Sequence, residues 1–157
     1  MKNRKPFNRE VWAANDAIGK KAVLQVLKSL DINADENPNP YGIDLLVKDS
    51  EDTYEVERRA IWDTEWPFDT VHIPERKKKF MQPGMTYAVV NKGCDKVMMC
   101  SSETILLYPQ REVKNTEVAS GEYFYDVPLG EWTIYDIEED KNGEMPTFKT
   151  YTSKTVF

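Results

Sequence analysis

Asp44 stands in the middle of the run Tyr41-Gly42-Ile43-Asp44-Leu45-Leu46-Val47, and a short polar gap separates it from Glu55-Val56-Glu57. A carboxylate set in an otherwise apolar strand costs free energy unless it is paired or holds a cation, so few folds accommodate this placement. In Thr53-Tyr54-Glu55-Val56-Glu57-Arg58-Arg59, strand alternation puts Glu55, Glu57 and Arg59 on one face and Tyr54, Val56 and Arg58 on the other. Lys48-Asp49-Ser50-Glu51-Asp52 is polar and short enough to be a hairpin connection, which brings Asp44 beside the Glu55/Glu57 face. Three carboxylates then converge, and a divalent-metal site is the expected product. The alternative is a solvent-exposed hairpin whose acidic residues occupy its wet face.

At 157 residues the chain reads as one domain, large enough to bury a core without disulfide or metal staples. It has two cysteines and one histidine, which excludes a disulfide framework and zinc peptidases of the His-Glu-X-X-His kind. Its seven glycines form neither a phosphate loop nor a dinucleotide fingerprint. A net charge of −6 argues against coating nucleic acid by bulk electrostatics, yet basic clusters persist in the first eighty residues, as at Arg58-Arg59 and Arg76-Lys77-Lys78-Lys79. Residues 136–144 are acidic. No stretch approaches the length of a membrane span, and the basic start runs into Pro6 rather than an apolar leader, so a cytoplasmic protein with no membrane partner is expected.

Residues 9–30 predict one amphipathic helix capped by Asn8, with an inward stripe of Trp12, Asn15, Gly19, Ala22, Val26 and Leu30. Gly19 is expected to let the helix approach a sheet closely. Residues 31–40 contain Asn37-Pro38-Asn39-Pro40 and predict a loop. The Glu55 strand is expected to run on through Trp62, with a short strand at 69–73 and a basic segment after Pro74. Strand patterns follow at 86–90, 96–100, 104–107, 123–128 and 132–135, and residues 147–157 suit an edge strand or an arm. The fold class is α/β (α+β): an N-terminal helix on a mixed β-sheet, with additional C-terminal strands that extend the sheet or cover one face. Trp62 and Trp66 are expected in the core, His72 and Asp126 in ordinary hydrogen bonds, and Cys100 as a buried thiol.

Asp44, Glu55 and Glu57, so spaced, resemble the PD-(D/E)XK nuclease superfamily. In that family an acid on one strand and Glu-X-Lys on the next bind Mg²⁺ and activate water against a phosphodiester bond. The resemblance covers about residues 10–80, with a β-rich remainder at 81–157, and implies a restriction endonuclease-like core. Position 43 is isoleucine where the family has proline, and Glu57 stands where the family has lysine, so Glu57 must serve as a base or as a further ligand. The first helix of such nucleases often supplies another acid, for which Asp16 is best placed.

The resemblance therefore implies a Mg²⁺- or Mn²⁺-dependent nuclease, a DNA endonuclease, with Asp44, Glu55 and Glu57 as catalytic residues and Asp16 as an additional metal ligand. Arg59, Arg76 and Lys77 would contact nucleic-acid phosphates. A homodimer would explain paired cuts on two strands, and a small free-standing enzyme of this kind fits a phage or mobile element. The alternatives are a catalytically inactive module that keeps the nuclease fold for binding nucleic acid or protein, and an acidic protein that binds a basic partner.

Overall fold

The structure is a computed structural model and describes residues 9–113, 122–138 and 147–152, with side chains from Asp16 to Ile137 within those spans. The helix α1 (Arg9–Ser29) leads into β1 (Ala34–Glu36), β2 (Leu45–Val47) and β3 (Thr53–Arg58). The chain then makes β4 (Thr70–Pro74) and a 3₁₀ helix (Glu75–Phe80) before β5 (Met85–Val90) and β6 (Lys96–Ser101). A one-turn helix α2 (Ser102–Ile105), β7 (Gln110–Val113), β8 (Glu122–Pro128), β9 (Thr133–Glu138) and β10 (Thr147–Thr152) complete it.

Among the described residues, seven strands form one mixed sheet in the order β1-β2-β3-β5-β6-β9-β10, and β4-β8-β7 form a second, antiparallel sheet. All neighbours in the large sheet are antiparallel except β3 and β5. That parallel pair needs a crossover, and the crossover carries β4 and the 3₁₀ helix.

Period-two alternation gives the large sheet two buried faces. On one, Ala22, Val23, Val26 and Leu27 of α1 pack against Leu45, Tyr54, Val56, Ala88, Val90, Val97 and Met99. On the other, Tyr87, Val89, Met98 and Ile134 meet Val71, Ile73, Tyr125 and Val127 of the small sheet, together with Trp62 and Trp132. Each fully buried valine or leucine contributes about 1.5–3 kcal/mol relative to exposure, and the two clusters together hold the layers in register. The expected helix on a mixed sheet is present, and the later strands do both things allowed for them: β6, β9 and β10 extend the sheet, while β4, β8 and β7 cover one face.

Several local expectations are corrected. Residues 31–40 are not all loop, because Ala34, Asp35 and Glu36 pair with Val47, Leu46 and Leu45; this edge strand is polar and largely exposed, so no apolar alternation signals it. β3 ends at Arg58 rather than continuing through Trp62. The apolar run 104–107 is no strand: the Ser101 hydroxyl accepts from the Thr104 backbone N–H and caps α2, which buries Ile105 and leaves Leu107 exposed. β7 was not anticipated. A methyl group at Gly19 would lie 3.7 Å from Val56 and Arg58, an ordinary contact, so the helix approach does not demand glycine. Leu30 is partly exposed, whereas Val23 and Leu27 join the buried stripe. Asn8 and residues 139–146 and 153–157 lie outside the described residues, as do the side chains of Trp12 and Asn15. Among the described residues, no helix is long and apolar enough to cross a membrane.

Candidate active site

The ladder between β2 and β3 consists of Leu45 opposite Tyr54 and Leu46 opposite Thr53, so the register carried one residue further sets Asp44 opposite Glu55. β2 stops there. Residues 55–58 of β3 keep β5 on one side and face a cleft of about 500 Å³ on the other. Where the ladder ends, Asp44 Oδ2 accepts the Val56 backbone N–H at 2.8 Å and replaces the missing strand partner.

Asp44 owes its place to a turn zipped by asparagines. Asn37 Nδ2 donates to the Ile43 carbonyl at 2.9 Å, the Asn37 N–H to the Asp44 carbonyl at 2.9 Å, and the Tyr41 N–H to Asn39 Oδ1 at 3.1 Å. A Cβ at Gly42 would meet Asn37 Nδ2 at 2.6 Å, so glycine here leaves that amide in place.

Glu55 is only 2% exposed, and its Oε2 accepts from Lys77 Nζ at 2.9 Å. Burial, then a hydrogen bond and the negative charge of Asp44, push its carboxyl up to about 8, against the lowering pull of Lys77. Glu55 is thereby held toward its protonated form beside Asp44, as burial next to a like charge requires. Lys77 arrives on the 3₁₀ helix, which the β3–β5 crossover lays over this face of the sheet. On the helix side, Lys20 Nζ lies 2.8 Å from Asp16 and 3.6 Å from Asp44. Burial works to lower the Lys20 pKa, but the hydrogen bond to Asp16 and the charges of Asp16 and Asp44 outweigh it and hold it above the usual lysine value. Asp16 therefore borders the cleft as the partner of Lys20 and approaches Asp44 through that ammonium.

Glu57 has other partners. Arg59 grips it with both arms of its guanidinium, Nε to Oε1 at 3.0 Å and Nη2 to Oε2 at 3.1 Å, and the Tyr87 hydroxyl donates to Oε2. Burial raises the Glu57 carboxyl, yet the Arg59 charge and the hydrogen bonds from Arg59 and Tyr87 prevail and hold it below the ordinary glutamate value. Arg59 Nη2 also donates to the His72 carbonyl on β4, and its guanidinium lies 5.7 Å from the Trp66 ring. Arg59, expected on phosphate, instead ties the two sheets together.

The sequence pattern gathers three carboxylates; the structure brings Asp44 and Glu55 together and turns Glu57 to Arg59. Among the described residues, no group of three or more His, Cys, Asp or Glu side chains is placed to hold a metal ion. The donor set that remains suits a hard cation nonetheless, because Mg²⁺ is commonly held by one or two carboxylates and takes its other oxygens from water and substrate phosphate. Arg76, Lys77 and Lys79 line the same cleft, as the basic run predicts. His72 lies outside it, 2.9 Å through Nε2 from Asp126 Oδ1, while Arg111 Nε donates to Asp126 Oδ2 at 2.6 Å. Trp62 is buried and meets Trp66 edge to face at 6.1 Å, as core packing requires.

Sequence reasoning missed Tyr87 and the approach of Lys77 to Glu55. Tyr87 stands opposite Glu55 in the parallel register, a pairing no local pattern announces. Neither known protein families, nor characterised proteins, nor solved structures offer a match to this chain.

Proposed function

We propose that the cleft is a metal-dependent phosphodiesterase site for nucleic acid, a DNA endonuclease of the PD-(D/E)XK kind with a restriction endonuclease-like core. The observation that carries this reading is half-buried Asp44 beside buried Glu55 at the end of the β2–β3 ladder, with the Lys77 ammonium 2.9 Å from Glu55. Asp44 and Glu55 would hold Mg²⁺ or Mn²⁺. Such an ion lowers the pKa of bound water and stabilises charge developing on phosphoryl oxygens.

The remaining work falls to side chains already in place. Lys77 supplies in space the ammonium that Glu57 denies in sequence: it lies on Glu55, where it orients a water for attack and balances the charge of the phosphodiester. Arg76 and Lys79 hold flanking phosphates. Glu57 acts through Arg59 as a positioning residue that fixes the small sheet over the site. Lys20 keeps Asp44 and Asp16 apart in charge.

A second reading, a nuclease-fold module that binds nucleic acid without cleaving it, is favoured by one feature: the Lys77 ammonium lies 2.9 Å from Glu55, the place where a metal ion would compensate it. Calorimetric titration with Mn²⁺ and Mg²⁺, with Asp44→Asn as control, separates the two. The enzyme reading expects binding that Asp44→Asn abolishes, together with DNA cleavage that EDTA stops. Absence of binding, or binding that survives Asp44→Asn unchanged, favours the module.

A further inference from the structure

Tyr41 is 89% exposed at the rim of the cleft, although the turn that carries it is tightly fixed through Asn37, Asn39 and Gly42. A ring held out by an ordered backbone leaves its face open for stacking on a ligand that enters the cleft. Phe80, half-buried, lines the same cleft, with the ammonium groups of Lys79 and Lys77 at 5.0 and 5.9 Å from its ring. The cleft is therefore lined by an exposed aromatic ring, a second aromatic ring with cations beside it, and a nearly sealed acid.

We propose that Tyr41 is a stacking platform for an unpaired base, and that the cleft takes a single strand of nucleic acid rather than an intact duplex. This deepens the phosphodiesterase reading and rests on it for the reason a strand enters at all. In a duplex the base faces are covered by their neighbours, so an aromatic side chain gains a base face only where the strand is unpaired or splayed. The volume of about 500 Å³ is that of a small-ligand site, enough for part of one strand. Glu55, at 2% exposure, lies at the closed end of the cleft. The cations of the cleft track the backbone while the exposed ring holds a base, the combination that serves sequence-tolerant single-strand binding.

The test is fluorescence anisotropy in EDTA, so that nothing is cut, with one labelled oligodeoxynucleotide offered alone and annealed to its complement. Wild type should bind the single strand more tightly than the duplex. Tyr41→Ala should weaken single-strand binding by roughly tenfold, and Tyr41→Phe should restore it, because the ring and not the hydroxyl does the stacking. The log–log salt slope should be the same in all three proteins, since no phosphate contact is lost. Equal single-strand affinity in Tyr41→Ala and wild type, failure of Tyr41→Phe to rescue, or a duplex preference in wild type each overturns the proposal. Metal-dependent hydrolysis of bis(p-nitrophenyl) phosphate by wild type is read separately. If it is absent while the Tyr41 dependence stands, the enzyme reading fails and the stacking platform survives; hydrolysis without any Tyr41 dependence overturns the platform and leaves the enzyme reading standing.

Discussion

Lys77 Nζ lies 2.9 Å from Glu55 Oε2, although 22 residues of chain separate them and the two sit on different elements. The contact exists because β3 and β5 are parallel: the crossover between them must pass over the sheet, and it passes over the face that carries Glu55. Removal of the ammonium should therefore be felt in the chemistry. Lys77→Ala should lower the cleavage rate by on the order of a hundredfold, as loss of a proton-handling or water-orienting group does. Glu57→Gln should act first on stability, costing about 1–3 kcal/mol because it strips charge from a partly buried, doubly bonded pair. Cleavage rates and urea midpoints measured on both variants check this. If a folded Glu57→Gln loses as much rate as Lys77→Ala, water activation belongs to Glu57.

The raised Glu55 carboxyl makes stability depend on pH in the metal-free protein. The Glu55 carboxyl rises from 4.5 to about 8 on folding, so between those values the folded state binds more protons than the unfolded one. Its contribution is complete below about pH 4.5 and is lost as pH rises toward 8, with a slope of at most about 1.4 kcal/mol per pH unit. Glu55→Gln cannot lose a proton there and should flatten the decline. Urea midpoints taken in EDTA from pH 5 to about pH 8 test it; parallel curves for variant and wild type would remove Glu55 as the titrating group.

How far the sequence spoke follows from how local each interaction is. Asp44, Glu55 and the hairpin between them were legible, because a polar five-residue gap and strict alternation define the register without help from the rest of the chain. Arg59 was legible as a face-mate of Glu57, but not as its clamp, since that role depends on Tyr87 across the parallel ladder and on the His72 carbonyl in another sheet. Residues 104–107 looked like a strand because Ile105, Leu106 and Leu107 are apolar, yet a single serine cap decided otherwise. Pairings that need a crossover leave no trace in local periodicity, and the place of Lys77 is of that kind.

Gly42 links the Asn37 turn to the site. A Cβ at 2.6 Å from Asn37 Nδ2 must displace that amide and its hydrogen bond to the Ile43 carbonyl, one residue before Asp44. Gly42→Ala should cost about 1 kcal/mol in stability, the value of one hydrogen bond, and should weaken Mn²⁺ binding by calorimetry more than that small loss accounts for. An unaltered metal affinity would show that Asp44 is held by Val56 alone.

With Lys77 occupied by Glu55 and Arg59 by Glu57, the flanking-phosphate contacts proposed for the cleft fall to Arg76 and Lys79, which line it without an acidic partner among the described ion pairs. Both sit on the exposed side of the 3₁₀ helix, Lys79 with its ammonium 5.0 Å from the Phe80 ring. Contacts of this type are electrostatic, so their loss weakens binding in a salt-dependent way and leaves metal binding intact. Arg76→Ala combined with Lys79→Ala should raise the apparent Kd for DNA and reduce the log–log salt slope by roughly one unit for each phosphate contact removed. Arg59→Ala, whose guanidinium faces inward, should lower stability with little change in slope. A slope that is the same in the double variant and in wild type would make this run a solvated face and move the phosphate track to Lys20 and Arg58 on the helix side of the cleft.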